Sequence, residues 1–180
     1  MALEARFGEL TIQLANLREA LLGLQTTSRE DKPADDDAVL VDVFGDAAED
    51  LLGWAEGAFL AAVEAHQSAQ HPTDLQRTWR GLTICQERVQ QISQRLMLDL
   101  LCYERIAELT RFGRRRGGEW QAWARSVRGA LNDCQQPLFT TGQAIFACWQ
   151  EIGERIGFQS ISVQAMATGQ QVTLAERAKR

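Results

Sequence analysis

The chain has 180 residues, 45% of them hydrophobic and 24% charged, with a formal net charge of −5. That size and balance fit one globular domain with a sizeable core and argue against a disordered or fibrous chain. No run of about 18 apolar residues argues for a membrane span, and the opening MALEARFGEL carries Glu4 without an apolar h-region, so no signal peptide and a cytoplasmic location are expected.

Only three prolines occur, at Pro33, Pro72 and Pro137, among abundant Ala, Leu, Glu, Gln and Arg. This composition predicts few, long helices. The expected fold is all-α: an elongated, mostly antiparallel bundle of four main long helices over residues 1–157. A C-terminal tail, 158–180, follows it, either flexible or docked.

The first helix is expected over 3–24. Leu3, Phe7, Leu10, Leu14, Leu17, Leu21 and Leu24 alternate in steps of four and three, an a/d seam facing one partner helix. The partner lies either within this chain or on a second copy, so the seam is a candidate for self-association and the chain a possible homo-oligomer. QTTSREDKPADDD, 25–37, reads as a polar linker whose Asp35–Asp37 triplet caps the next helix.

A second helix is expected over 38–70. Gly53, Gly57, Ala61 and Ala65 recur every four residues, a smooth strip that lets another backbone approach closely. Gly45 is a place for a bend. HPTD then ends this helix at Pro72 and caps a third over 74–112 through Thr73 or Asp74. Its seam runs through Leu75, Trp79, Leu82, Cys85, Val89, Ile92, Leu96, Leu100, Tyr103 and Ile106. LMLDLLCY, 96–103, is apolar almost all round and is expected to be covered on more than one side. A buried Asp99 within it needs a partner such as an arginine.

A fourth helix is expected over 119–156, kinked by Pro137. Folding it back on the third puts Cys85 and Cys148 at similar heights. Cys85, Cys102, Cys134 and Cys148 form no C-x-x-C pair and read as small core hydrophobes with no disulfide.

No catalytic constellation is visible. The positions three residues before His66 and His71 hold Val63 and Ser68, not the glutamates of a di-iron bundle. H-E-x-x-H, G-x-S-x-G, the P-loop and G-x-G-x-x-G are all missing. The expectation is therefore no enzyme, no cofactor and no metal.

TRFGRRRGGEW, 110–120, is the one positive signal. Arg111, Arg114, Arg115 and Arg116 suit the negative end of the third helix dipole. With Trp120, Trp123, Arg125 and Arg128 they also form a candidate contact for a protein partner or an anion, including a nucleic-acid backbone with stacked bases. Through Pro72 the chain carries 14 acids and 4 bases, and after it 10 acids and 15 bases. Oppositely charged halves either attract each other within the fold or face different partners. The expected function is a non-catalytic adaptor or scaffold subunit mediating protein–protein interaction in a cytosolic assembly. An accessory nucleic-acid-binding subunit and a membrane-active bundle inserting residues 38–65 are the alternatives.

Overall fold

Five helices follow one another in the computed structural model, which describes residues 2–30, 39–71, 74–110 and 117–156: α1 (Ala2–Arg29), α2 (Val39–Ala69), α3 (Leu75–Thr110), α4 (Gly117–Asp133) and α5 (Gln135–Ile156). They build an all-α bundle of four legs, because α4 and α5 share the last one. The linker core 31–38, with Asp35–Asp37, lies outside the described residues, as does the tail 158–180.

Specific pairs fix the directions of the legs. Phe7 stacks on His66 at 5.1 Å, and Arg29 holds Glu49 at 2.7 Å, so α1 and α2 are antiparallel. Arg77 meets Glu64 at 2.9 Å, and Arg88 lies over Gly57, so α3 runs against α2. The Trp123 indole N–H donates to the Ser28 carbonyl at 3.3 Å, and the Thr141 hydroxyl to the Gln13 carbonyl at 3.1 Å. Both halves of the last leg therefore run against α1.

The α1 seam is buried in its own chain. Leu3, Phe7, Leu10 and Leu14 join Ala58, Ala62, Leu82, Ile145 and Ile152 in one half of the core. Leu17, Leu21 and Leu24 join Leu51, Ile92, Trp123 and Val127 in the other. The self-association expectation for these seven residues is corrected: an a/d stripe already filled by three legs of its own bundle has no face left for a second copy.

Two boundaries also differ from expectation. Residues 25–29, expected as linker, continue α1, since the Trp123 indole anchors the last turn at Ser28. The expected single helix 119–156 is two helices meeting at Cys134. Pro137 has no N–H for the Asp133 carbonyl and its ring crowds that group, so the ladder breaks there. Cys134 N–H to Ala130 at 3.3 Å and Leu138 N–H to Cys134 at 3.1 Å carry the chain across. α2, in contrast, passes Gly45 without a break.

The close approach of α2 and α3 centres on Gly81. A Cβ added there would stand 2.9 Å from the Ala65 Cβ and 3.0 Å from the Ala61 carbonyl oxygen. Ala61 and Ala65 line this contact, and Gly57 lies under the Arg88 stem. Gly53 is a correction: it is exposed with nothing within 4 Å of its missing Cβ, so no neighbouring backbone packs on it.

Candidate functional site

Arg111 and Arg114–Arg116 lie outside the described residues. Their expected aromatic companions are core residues. Trp120 and Trp123 are only 5% and 3% exposed, and their rings meet edge to face at 5.5 Å. Both fall on the α4 stripe of Ala124, Val127 and Leu131, which packs on α1 and α3. Neither ring is free to stack on a base or seat a partner, so their assignment as contact residues is corrected. Arg125 and Arg128 are on the exposed side of α4, and Arg125 Nε donates to the Gln121 carbonyl at 3.2 Å. Among the described residues, Trp120 and Trp123 therefore share no exposed surface with Arg125 and Arg128, and these two rings offer no stacking platform.

The described residues contain no group of three His, Cys, Asp or Glu side chains spaced to hold a metal ion. No described helix is long and apolar enough to cross a membrane. Cys85, Cys134 and Cys148 are buried free thiols, each pushed up to about 12, chiefly by burial. Cys85 also feels Cys148, the neighbour expected from the hairpin. Thiols held so far from ionisation are packing groups, not nucleophiles.

The distinctive surface is on α3. The expectation that 96–103 is covered on more than one side is corrected. Leu96 and Asp99 are buried, but Met97, Leu98 and Leu101 are 62%, 59% and 57% exposed, and Cys102 is exposed beside them. A helix shows a given neighbour one stripe only. Leu96, Asp99 and Leu100 use up the inward stripe, and the apolar residues between them point outward.

From Leu98 a stripe runs back along α3 beside the α2–α3 groove. Ile84, Arg88, Gln91, Arg95 and Leu98 follow one another at steps of three and four, so they share a stripe of α3. Leu60 on α2 is at the level of Ile84, and both are exposed, at 62% and 39%. They flank the place where Arg88 covers Gly57. Two apolar ends, Leu60/Ile84 and Met97/Leu98/Leu101, therefore bracket a polar middle.

Asp99 supports this stretch from inside. Arg95 Nε donates to Asp99 Oδ1 at 3.0 Å, the arginine partner a buried carboxylate requires. Burial still raises the Asp99 carboxyl above its ordinary value, against the lowering effect of Arg95. The ion pair also fixes the Arg95 side chain in the stripe next to Leu98.

Sequence periodicity missed this face and Gly81. Its signal was present: Met97, Leu98 and Leu101 are apolar at positions that the seam through Leu96 and Leu100 leaves unused. No protein-family model matches the chain, and no curated protein matches it either.

Proposed function

We propose that the protein is a non-catalytic helical adaptor of a cytoplasmic assembly, docking a partner protein along the α2–α3 groove. The observation that carries this reading is the contiguous exposed apolar face of Met97, Leu98 and Leu101. Scattered exposed leucines are ordinary, whereas a contiguous apolar patch on a rigid helix is the feature of a contact surface.

Magnitudes define the partner. Covering these three partly exposed side chains contributes roughly 3–5 kcal/mol. Bringing two free proteins together costs about 4–15 kcal/mol. The partner must therefore reach beyond the patch, to Leu60 and Ile84 at the other end of the groove. Ile84 and Leu98 are about 21 Å apart along α3, a span suited to an amphipathic helix of about four turns.

The test is affinity capture with the tagged full chain in its native host, comparing wild type with Leu98→Asp/Leu101→Asp. A partner recovered by wild type and reduced at least tenfold in the double variant, at unchanged melting temperature, is the expected result. Equal recovery by both proteins, or no specific protein, contradicts the adaptor. Salt-sensitive binding of a labelled oligonucleotide, lost on reversing Arg125 and Arg128, would replace it with the nucleic-acid reading.

A further inference from the structure

We propose that, in the free protein, the outward face of α3 is covered by the same face of a second copy, the two α3 helices packing antiparallel about a two-fold axis at Gln91. This rests on reading that face as a docking surface, and it names an occupant that fits it: an amphipathic helix with α3's own sequence.

Three observations single out this occupant. The first is a second seam. Ile84, Glu87, Gln91, Gln94, Leu98 and Leu101 are all exposed and alternate in steps of three and four. That spacing keeps one narrow stripe facing a neighbouring helix. It lies on the other side of α3 from the buried seam of Leu82, Cys85, Val89, Ile92 and Leu96.

The second is self-complementarity. Ile84, Gln91 and Leu98 recur every seven residues, so they hold one position of the seam with Gln91 at its midpoint. A two-fold axis at Gln91 sets Ile84 of each copy against Leu98 of the other, and Gln91 against itself. Leu60, level with Ile84, flanks the same layer. The two apolar ends of one copy thus cover those of the other, each about 10 Å from the axis. A register one heptad away would set Gln91 against Leu98 or Ile84. A single polar layer within an apolar seam fixes register in this way.

The third is charge. Glu87 lies four residues before Gln91 and Arg95 four after it, so the same axis sets Glu87 of each copy beside Arg95 of the other. Arg95 gives its Nε to Asp99, and a guanidinium with five N–H donors can serve a second carboxylate as well. Arg88 leans over Gly57 towards α2, and its Nη1 donates to Gln91 Oε1 at 3.0 Å. The Gln91 amide N–H groups then donate to the Gln91 carbonyl of the second copy.

Area sets the strength. The face from Ile84 to Leu101 is about 26 Å long and, with α2 beside it, about 20 Å wide, so two copies cover roughly 1,000 Å² in all. That is the lower limit of a specific interface, and it gives a reversible dimer with a Kd in the micromolar range.

The test is sedimentation equilibrium of the full chain from about 1 to 300 μM. A reversible monomer–dimer equilibrium is expected. Leu98→Asp/Leu101→Asp and, at the far end of the seam, Ile84→Asp each weaken it at least tenfold, with circular dichroism and melting at low concentration unchanged. A short bismaleimide links two copies of Gln91→Cys across the axis. It leaves wild type unlinked, because the exposed thiol of Cys102 stands about 33 Å from its counterpart. A monomer throughout the range overturns the proposal, as does a dimer indifferent to Leu98→Asp/Leu101→Asp. A dimer that survives Ile84→Asp, that fails to link through Gln91→Cys or that links through Cys102 overturns the pairing about Gln91. The two proposals fail separately. Leu98-dependent capture of a different protein by a chain that stays monomeric overturns this one alone. A Leu98-dependent dimer with no other protein captured overturns the adaptor alone.

Discussion

The two halves of α3 use the same kind of side chain differently. In its first half, Thr78, Leu82 and Cys85 are sealed between α2 and α5, Gly81 brings two backbones together, and Trp79 stacks on Trp149. Around Leu98, only the stripe of Leu96 and Asp99 is covered, and Met97, Leu98 and Leu101 remain outside. Hydrophobicity alone therefore does not decide burial. The stripe of the helix on which a side chain falls decides it.

This contrast can be broken most forcefully in the core. Leu10→Ala or Ile145→Ala, at fully buried positions, is expected to cost about 2–5 kcal/mol in urea unfolding. Leu98→Ala is expected to stay within about 0.5 kcal/mol of wild type. Similar losses at both kinds of site would erase the distinction.

The next largest effect concerns glycines. Gly81→Ala forces its Cβ against Ala65 and the Ala61 carbonyl, and a loss of about 1–3 kcal/mol is expected from overpacking. Gly53→Ala has open space and is expected to gain about 0.5–1 kcal/mol through helix propensity. Thermal melting of the pair reads opposite signs if α2 and α3 touch where described.

Asp99 gives a pH signature. Burial raises its folded value above the ordinary 3.8, so the fold disfavours the charged form. The stability that goes with the protonated group is fully present below the unfolded value and is lost as pH rises through the raised folded one. Asp99→Asn keeps the group neutral at every pH. Its stability relative to wild type should therefore rise between about pH 3.5 and pH 7, as read by urea unfolding at both. A flat difference would show that Asp99 is not desolvated. Smallest of all, Arg29→Ala removes an exposed pair with Glu49 and should change stability by less than about 0.5 kcal/mol.

Much of the fold was legible because seams are local. The seven α1 positions, the neighbouring Cys85 and Cys148, and the need of Asp99 for an arginine all follow from helical spacing. What the seams meet was not legible, since facing residues are far apart in sequence. Gly81 gains meaning only opposite Ala61 and Ala65. Trp120 and Trp123 lie both on the α4 seam and next to arginines, and spacing alone does not show that burial wins. The α3 face was read as doubly covered because an apolar run does not show which of its residues fall on the inward stripe.

The most direct test of the central claim is the urea stability of Met97→Asp/Leu98→Asp/Leu101→Asp in the full chain. If these side chains serve docking rather than the core, the triple variant stays helical and within about 1 kcal/mol of wild type, the range for surface positions. A loss above about 4 kcal/mol, of the kind core truncations give, would contradict the account and return all three residues to the interior.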